Sequence, residues 1–455
     1  MEKKLKLTST QIMMFGFFLA ILAGTVLLWL PFSTAEGETT SFLEAMFTAT
    51  TSICVTGLVV VDTFSHWTLF GKIVILALIQ IGGFGVITMY MLGLMMFQKQ
   101  FSLKTRLLIQ DYYNLDSIHG MVKFMMNVVR GTLIVELAGA VLYSFTFIPQ
   151  FGPVKGAWIS LFTSISAFCN AGIDIIGPSS LIPYKTQPWI NLVTSALVIL
   201  GGLGYVVWFD VLETVRSTIK RKISFKGFYR RLSEHSRLVL VLTAGLLISG
   251  TVLVLILEYH NPETIGELNF FQKVMVSFFQ SMTFRTAGFA SVPQQDLTDA
   301  TSVVGLFYMF IGGSPVGTAG GVKTVTVFLV ICNAVSYIRN RDEAVIMDRR
   351  ITGEMVSKAT AIITVSLLVT IVLIVGLCAT NDVSPLAAAY EMFSATATVG
   401  LSQGLTPELN DAGRILVIIG MYAGRIGPIS MAIFFNSSRS DKNDVNYAKG
   451  RFIVG

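Results

Sequence analysis

Eight long apolar runs dominate the chain, and each is long enough to form a helix of about 20 residues that crosses a bilayer. Hydrophobic residues make up 53% of the 455 residues and charged residues only 13%, which is too little polar surface to cover a soluble globule. The sequence therefore predicts an all-α integral membrane protein with eight transmembrane helices. The runs lie near 10–30, 68–97, 122–148, 188–212, 237–258, 302–336, 357–380 and 413–435.

The positive charge of the chain is distributed as in a membrane protein rather than a nucleic-acid-binding one. The net charge is +6, but the basic residues cluster between alternate apolar runs while the other connections are acidic. The positive-inside rule makes the basic segments cytoplasmic, so both termini are expected inside the cell and no nucleic-acid partner is expected. The first run lacks a cleavage site and is interpreted as the first span. The basic clusters occupy 3–6, 99–106, 216–231, 339–350 and 439–451.

A shorter apolar stretch, too short to cross, lies between the members of each successive pair of runs. The four stretches align on one glycine, with an aromatic residue ten positions before it and a small residue five before it. A second glycine-rich landmark follows each of them, at 82–85, 201–204, 312–315 and 424–427. Two landmarks repeated at nearly even spacing predict four copies of a helix, re-entrant segment, helix unit. The aligned glycines are Gly57, Gly172, Gly288 and Gly400.

The turns that carry these glycines are predicted to form a cation filter. Extended backbone at membrane depth is tolerated only where it is buried in protein or faces water, so four equivalent turns should converge on one aqueous axis. There their carbonyl oxygens can replace the water around a cation. A lone turn of this kind is more often an ordinary loop, but four aligned copies reverse those odds. The filter residues are Val55, Thr56, Gly57, Asn170, Ala171, Gly172, Thr286, Ala287, Gly288, Thr398, Val399 and Gly400.

We call the second long run of each repeated unit its inner run. The inner run of the third unit, 302–336, is interrupted by the segment 312–321, which is rich in glycine and contains one proline, so no continuous helix should persist. We expect a flexible loop that lies below the filter as a gate. A phosphate-binding loop would need a glycine directly before its lysine, yet Val322 separates Gly321 from Lys323 and no strand precedes the segment. The gate residues are Gly312, Gly313, Ser314, Pro315, Gly317, Thr318, Ala319, Gly320 and Gly321.

Two charges lie deep within apolar runs. Arg425 is expected to point into the pore as an electrostatic barrier in contact with the 312–321 loop, or else to form an ion pair with an acid such as Glu136. Glu136 is either a structural partner of Arg130 or Arg425 or a transport residue. Asp62 and Asp174 follow the first two filter glycines and could concentrate cations at the outer mouth, although acids near loops are usually just solvated.

These features resemble the Trk/Ktr/HKT superfamily of potassium uptake proteins, and most of all its bacterial KtrB-type membrane subunits. The resemblance rests on Thr56-Gly57-Leu58 and its three counterparts, on the 312–321 loop and on Arg425, and it covers essentially the whole chain. It implies four pseudo-symmetric helix–pore loop–helix repeats around one central pore. The units are 1–100, 101–222, 223–340 and 341–438, followed by a cytoplasmic tail at 439–455.

The resemblance also implies what the protein carries and what it assembles with. K⁺ would be the transported ion, with Na⁺ either carried along or regulatory, and a glycine at position 57 is associated with potassium selectivity. The protein would form a homodimer in the bacterial plasma membrane, with the 439–455 tail at the dimer interface. An octameric cytoplasmic ring of KtrA-type subunits would supply the nucleotide site, which this chain lacks.

Two other classes of membrane protein predict different sequence features. A secondary transporter for another small cation or solute should have inverted repeats, whereas the four units here share one orientation. An intramembrane enzyme should have paired acids or a His/Cys constellation in its spans, and none is visible in the sequence. We therefore expect a transport protein without enzymatic activity.

Overall fold

A computed structural model describes residues 9–85, 121–221, 225–341, 343–347 and 349–427. Within these ranges the chain is mostly helical, and its one sheet is a two-stranded antiparallel hairpin, β1 (Val345–Ile346) with β2 (Arg349–Arg350). The mostly helical architecture expected from the sequence is therefore confirmed. The predicted tail at 439–455 lies outside the described residues.

Sixteen α-helices are described, together with short 3₁₀ turns at Pro31–Ser33, Ile182–Tyr184 and Gln294–Asp296. The helices are α1 (Ser9–Trp29), α2 (Phe42–Cys54), α3 (Leu69–Phe84), α4 (Met121–Phe151), α5 (Pro153–Cys169), α6 (Pro188–Leu203), α7 (Tyr205–Arg221), α8 (Phe225–Arg231), α9 (Glu234–Glu258), α10 (Phe270–Thr283), α11 (Asp299–Phe310), α12 (Thr324–Ile338), α13 (Gly353–Thr380), α14 (Pro385–Thr396), α15 (Leu405–Glu408) and α16 (Asp411–Ile426).

Three of the described helices, α4, α9 and α13, are long and apolar enough to cross a membrane, and the α6–α7 pair adds a fourth if it counts as one bent span. Their outward faces are apolar: the side chains of Ile134, Ile248 and Val372 are 67%, 66% and 68% exposed. Such faces suit lipid rather than water. The predicted runs 68–97 and 413–435 continue beyond Gly85 and Gly427, out of the described ranges.

A second inner run is broken, in addition to the one that the sequence predicted. The run 188–212 is not one straight span, because α6 and α7 meet at an angle of 102°. The break falls on Gly204, whose φ is +88° and ψ 140°, a conformation that residues with a side chain rarely adopt. Gly85 and Gly427 end α3 and α16 in nearly the same conformation. The third run stops at Phe310 and resumes at Thr324, which confirms the interruption there.

The four short helices α2, α5, α10 and α14 connect the four predicted units through their packing. Each lies against the long helix that precedes it in the chain: α2 on α1, α5 on α4, α10 on α9 and α14 on α13. Each also contacts the inner helix of another unit: α5 packs on α3, α10 on α6, α14 on α11 and α2 on α16. The contacts therefore lead from unit to unit and return to the first.

Local sequence signals begin the short helices. Ser41 and Glu44 form a capping box at the start of α2, and Asn269 and Gln272 form one at the start of α10. Such pairs satisfy backbone N–H groups that have no partner inside the helix. At the start of α14 the hydroxyl of Ser384 alone accepts from the amide of Ala387, at 3.2 Å. The starting points of three short helices are thus encoded within a few residues of each.

Candidate functional site

The four predicted filter segments, 55–57, 170–172, 286–288 and 398–400, have the same backbone pattern, and we call them the four glycine turns. The residue two positions before each glycine is in the left-handed region, although none of the four is a glycine. The glycine itself also has a positive φ. The φ values are +55° (Val55), +59° (Asn170), +66° (Thr286) and +51° (Thr398), followed by +103° (Gly57), +65° (Gly172), +80° (Gly288) and +96° (Gly400).

Two hydrogen bonds to one residue of the preceding helix hold each of the first and fourth turns in place. The amide of Thr56 donates to the carbonyl of Thr51 at 2.9 Å, and the amide of Gly57 donates to the hydroxyl of the same residue at 3.0 Å. In the fourth turn, the amides of Val399 and Gly400 donate to the carbonyl and hydroxyl of Ser394 at 2.8 and 3.0 Å. Such bonds fix a helix end whose last carbonyls would otherwise lack partners.

The third turn is built differently from the others. The amide of Ala287 donates to the carbonyl of Thr283, four residues earlier, at 3.1 Å, whereas the corresponding hydrogen bond in the other turns reaches back five residues. The Thr283 hydroxyl then donates forward to the carbonyl of Phe289 at 2.6 Å. The third turn therefore departs from the hydrogen-bond pattern of the first and fourth turns, and it belongs to the predicted unit whose inner run is interrupted at 312–321.

The structure brings the four glycines together. A Cβ placed on Gly57 would lie 2.5 Å from the carbonyl oxygen of Ala171 and 3.2 Å from the Cα of Gly400. A Cβ on Gly172 would lie 2.5 Å from the Cα of Gly288. Real Cβ atoms do not approach other atoms so closely, so no side chain fits at these positions. The carbonyls of the residues just before the glycines lie at this junction.

The junction offers backbone oxygen and hydroxyl groups to a cation rather than carboxylates. The buried hydroxyls of Thr56, Thr286 and Thr398 have no hydrogen-bond partner within the described ranges. In the same ranges, no cluster of three or more His, Cys, Asp or Glu side chains could hold a metal ion. Carbonyl and hydroxyl oxygens are ligands for weakly bound, dehydrated monovalent cations, so the chemistry fits an ion that passes through.

The 312–321 loop lies against the glycine turns and the α6–α7 break. The amides of Ser314 and Thr318 donate to the carbonyls of Gly202 and Gly201 at 2.9 and 3.1 Å. A Cβ on Gly320 would meet the Thr398 side chain and lie 2.6 Å from the carbonyl oxygen of Ala397. The loop therefore touches the fourth turn without space for a side chain.

Two basic side chains, those of Arg425 and Lys323, donate hydrogen bonds to carbonyls of the 312–321 loop. The Arg425 guanidinium donates to the carbonyl of Thr318 at 2.8 Å and also to the carbonyl of Gly82. The Lys323 ammonium donates to the carbonyl of Ala319 at 2.7 Å. With Lys358 these two groups line a cavity of about 410 Å³ whose wall includes part of the loop. The predicted contact between Arg425 and the loop is present, and its role as a barrier stays a prediction.

The ion-pair alternative for Glu136 is not what the structure contains. Its carboxylate accepts from the Gln80 amide at 3.1 Å and from the Cys169 thiol at 3.7 Å, and no described ion pair joins it to Arg130 or Arg425. The partner was missed because Gln80 is neutral and lies in another unit. Glu136 thus contacts the residue directly before the second turn.

The two outer acids have different surroundings. The carboxylate of Asp62 accepts from the hydroxyl of Ser65 at 2.6 Å and stabilises its own turn. Asp174 is half-buried beyond the second turn and accepts from the amide of Ile176 at 3.3 Å. Burial and, to a lesser extent, the charge of Asp62 raise the pKa of Asp174 to about 6. Asp174 is therefore poised to change charge near pH 6.

Two buried charged residues near the turns were not singled out from the sequence. Arg285 follows α10 and donates to the carbonyl of Gly312 at 3.3 Å. Glu391 lies in α14 and accepts from the hydroxyls of Ser402, at 2.7 Å, and Thr406. A charged residue inside or next to a short apolar helix was the signal that could have identified both.

Comparison with known proteins places the chain in a family. The TrkH family model, described as a cation transport protein, matches residues 4–445. The chain is 38% identical to the Ktr system potassium uptake protein B of Bacillus subtilis, covering 100% of this chain and 98% of the relative. It is 36% identical to the potassium/sodium uptake protein NtpJ of Enterococcus hirae, covering 98% and 97%.

A solved structure is similar in fold. The crystal structure of the potassium transporter TrkH from Vibrio parahaemolyticus matches with a TM-score of 0.72 and 19% identity, over 95% of this chain and 86% of that one. The long apolar helices and the family match together indicate a multi-pass membrane protein. This chain belongs to the TrkH family of cation transport proteins.

Proposed function

We propose that the protein takes up K⁺ across the plasma membrane through a channel-like pore at the four glycine turns. The observation that carries the proposal is the mutual approach of Gly57, Gly172, Gly288 and Gly400, with the carbonyls of the preceding residues at the same junction. A dehydrated K⁺ needs several oxygen ligands at once, and carbonyls from four turns supply them.

The circuit of helix contacts supports a single central pore. Each short helix packs on its own long helix and on the inner helix of another unit, and the circuit closes between α2 and α16. Four pseudo-symmetric units arranged in this way surround one axis, onto which the C-terminal ends of the short helices direct partial negative charge. In this proposal the 312–321 loop is the gate and Arg425 is the barrier below the filter.

The names of the relatives support potassium as the cargo. The Bacillus subtilis and Vibrio alginolyticus relatives, 38% and 34% identical, are both Ktr system potassium uptake proteins. The Enterococcus hirae relative is named for both potassium and sodium. We therefore propose K⁺ as the transported ion and sodium dependence as a property of the uptake.

The proposed assembly follows the Ktr system. The membrane subunit is a homodimer with cytoplasmic termini, and an octameric cytoplasmic ring of nucleotide-binding KtrA-type subunits gates it. The basic inner segments 216–231 and 439–455 are the proposed contacts with that ring. A Ktr system has more than one component, which supports a separate regulatory partner.

Ion flux into liposomes tests the function. The purified full-length protein, reconstituted alone, should carry K⁺ and Rb⁺ down a gradient faster than Na⁺, and external Na⁺ should increase the rate. Liposomes without protein provide the baseline. A protein that carries none of the three ions above that baseline, with or without a cytoplasmic ring of nucleotide-binding subunits added to the reconstitution, would contradict the proposal.

A further inference from the structure

The Arg285 side chain occupies an unusual position behind the third glycine turn. It is only 8% exposed, and its Nη2 donates to the carbonyl of Gly312, the first residue of the 312–321 loop. None of the described ion pairs includes it, and its Nε has no hydrogen-bond partner in the described ranges. A buried guanidinium is costly unless its donors are satisfied.

The Arg285 side chain lines a small cavity with other polar groups that lack partners. The cavity has a volume of about 20 Å³ and lies between Asn170, Thr243, Arg285 and Gly313. Both polar atoms of the Asn170 amide and the hydroxyl of Thr243 have no partner among the described residues. Asn170 belongs to the second glycine turn and Arg285 leads into the third. The cavity therefore lies behind two adjacent turns.

The polar atoms around the cavity determine what it can bind. Arg285 Nε and Asn170 Nδ2 are donors, Asn170 Oδ1 is an acceptor, and the Thr243 hydroxyl is either. Water can serve all of them, because it both donates and accepts. An anion would leave Asn170 Oδ1 without a donor and would be repelled by it. The volume is also just above the 10–15 Å³ or so that one water molecule requires.

We propose that Asn170, Thr243 and Arg285 hold an ordered water molecule behind the second and third glycine turns, and that Arg285 thereby positions these turns for K⁺ selectivity. The proposal rests on the proposed K⁺ pore. Arg285 does not touch the ion in this scheme. Its guanidinium contacts the carbonyl of Gly312 on one side and the water on the other, and the water contacts Asn170 of the second turn.

The polar side chain of Asn170 distinguishes the second turn from the first. Both turns pack tightly on their inner helices: a Cβ on Gly82 would lie 2.7 Å from the side chain of Val55, and a Cβ on the equivalent Gly201 would lie 2.9 Å from Asn170 Oδ1. In the fourth turn, Thr398 contacts Gly320 of the loop. Val55 is apolar and needs no hydrogen-bond partner, whereas the buried amide of Asn170 does.

The ratio of K⁺ to Na⁺ flux in liposomes tests the positioning role. Arg285→Gln should lower this ratio about tenfold, the cost of losing a charge-assisted hydrogen bond. Arg285→Lys retains a charged donor near Gly312 and should lose less selectivity. Arg414→Gln is the matched control, because Arg414 also donates to a backbone carbonyl, at 3.2 Å from Pro407, but lies at the outer start of α16. Its ratio should match that of the wild type.

Thr243→Val tests the same site without removing a charge. It should lower the K⁺/Na⁺ ratio about twofold, since one of the ligands of the water is lost. It also decides the question if Arg285→Gln does not reach the membrane. In one outcome the wild type is selective while the K⁺/Na⁺ ratio is unchanged both in Thr243→Val and in whichever Arg285 variant folds. That result would overturn this inference and leave the proposed function standing. A wild type that does not distinguish K⁺ from Na⁺ would instead contradict the proposed function.

A high-resolution structure of the full-length protein in lipid tests the ligand. We expect one solvent density within hydrogen-bond distance of Arg285 Nε and the Asn170 amide. The density should be unchanged when the protein is prepared in bromide. A bromide signal at the site, or no density there, would overturn the proposal.

Discussion

The guanidinium of Arg425 donates a 2.8 Å hydrogen bond to the carbonyl of Thr318, which joins the last inner helix to the Gly-rich loop of the third unit. The same guanidinium reaches the carbonyl of Gly82 near the end of the first inner helix. One side chain therefore connects three units at the inner side of the glycine turns. The hydrogen bonds fix the loop, and in the proposed function the same charge repels cations.

Removing this charge should increase ion flux. Arg425→Ala loses two charge-assisted hydrogen bonds to the loop and the first unit and removes the repulsion, so K⁺ flux in liposomes should rise about tenfold. Arg414→Ala, on the same helix but at its outer end, should leave the rate near that of the wild type. Equal flux in wild type and a well-folded Arg425→Ala would mean that this arginine is not a barrier.

The contact between Gly320 and the fourth turn predicts a second loop variant. Gly320→Ala places a methyl group against Thr398 and the carbonyl of Ala397, so either the loop or the turn must move, at a cost of about 1–3 kcal/mol. We expect a severalfold change in K⁺ flux with protein yield retained. Gly177→Ala is the control, since no atom of the described residues lies within 4 Å of its Cβ position. Indistinguishable rates for the two variants would refute the contact.

The repeated glycines could be found from the sequence because their geometry leaves a local mark. Each of the four turns has a positive φ and no space for a Cβ at one position, as at Gly57 and Gly400, so glycine is required there. The 312–321 interruption was visible because five glycines and one proline within ten residues do not support a continuous helix. The 102° bend at Gly204 was not, because a glycine-rich apolar run also fits a buried helix.

Partners that are distant in the chain could not be predicted. For Glu136 the sequence left open an arginine partner or a transport role, but its hydrogen bond comes from Gln80, which periodicity and charge do not connect to it. The asymmetry around Asn170 and Arg285 depends on how the second and third units pack together. Such contacts are set by the tertiary arrangement, and one sequence without the fold does not specify them.

The neutral partner of Glu136 predicts a mild effect of its conservative replacement. Glu136→Gln can still accept a hydrogen bond from Gln80, so K⁺ flux should change by less than about twofold. Glu136→Leu leaves Gln80 without its partner and should lower the thermal stability of the detergent-solubilised protein. A large loss of flux in Glu136→Gln with unchanged stability would instead assign this carboxylate to transport.

The raised pKa of Asp174 predicts a pH dependence at the outer side. Below a pH of about 6 its carboxylate becomes protonated and no longer attracts cations, so K⁺ uptake should fall about twofold as the external pH drops from 7 to 5. Because the folded state raises this pKa above its usual value near 3.8, ionisation destabilises the fold, and the contribution of Asp174 to stability should improve over the same drop in pH.

Asp174→Asn is the variant that isolates this carboxylate. It should have the low-pH uptake rate at every pH and should melt at a higher temperature than the wild type at pH 7. Asp62→Asn is the comparison: it should retain the step in uptake but move it to lower pH, because the charge of Asp62 raises the pKa of Asp174. A wild-type step in uptake that persists in Asp174→Asn would place the titrating group elsewhere.

The selectivity of Gly57→Ser tests the central claim most directly. Gly57 has a φ of +103°, and a side chain there would lie 2.5 Å from the carbonyl oxygen of Ala171, so serine must displace the oxygens of adjacent turns. Gly37→Ser is the matched control, with a φ of +89° and no described atom within 4 Å of its Cβ position. If the glycine turns select the ion, the ratio of K⁺ to Na⁺ flux in liposomes falls about tenfold in Gly57→Ser and stays at the wild-type value in Gly37→Ser. An unchanged ratio in a folded, conducting Gly57→Ser protein would contradict the account.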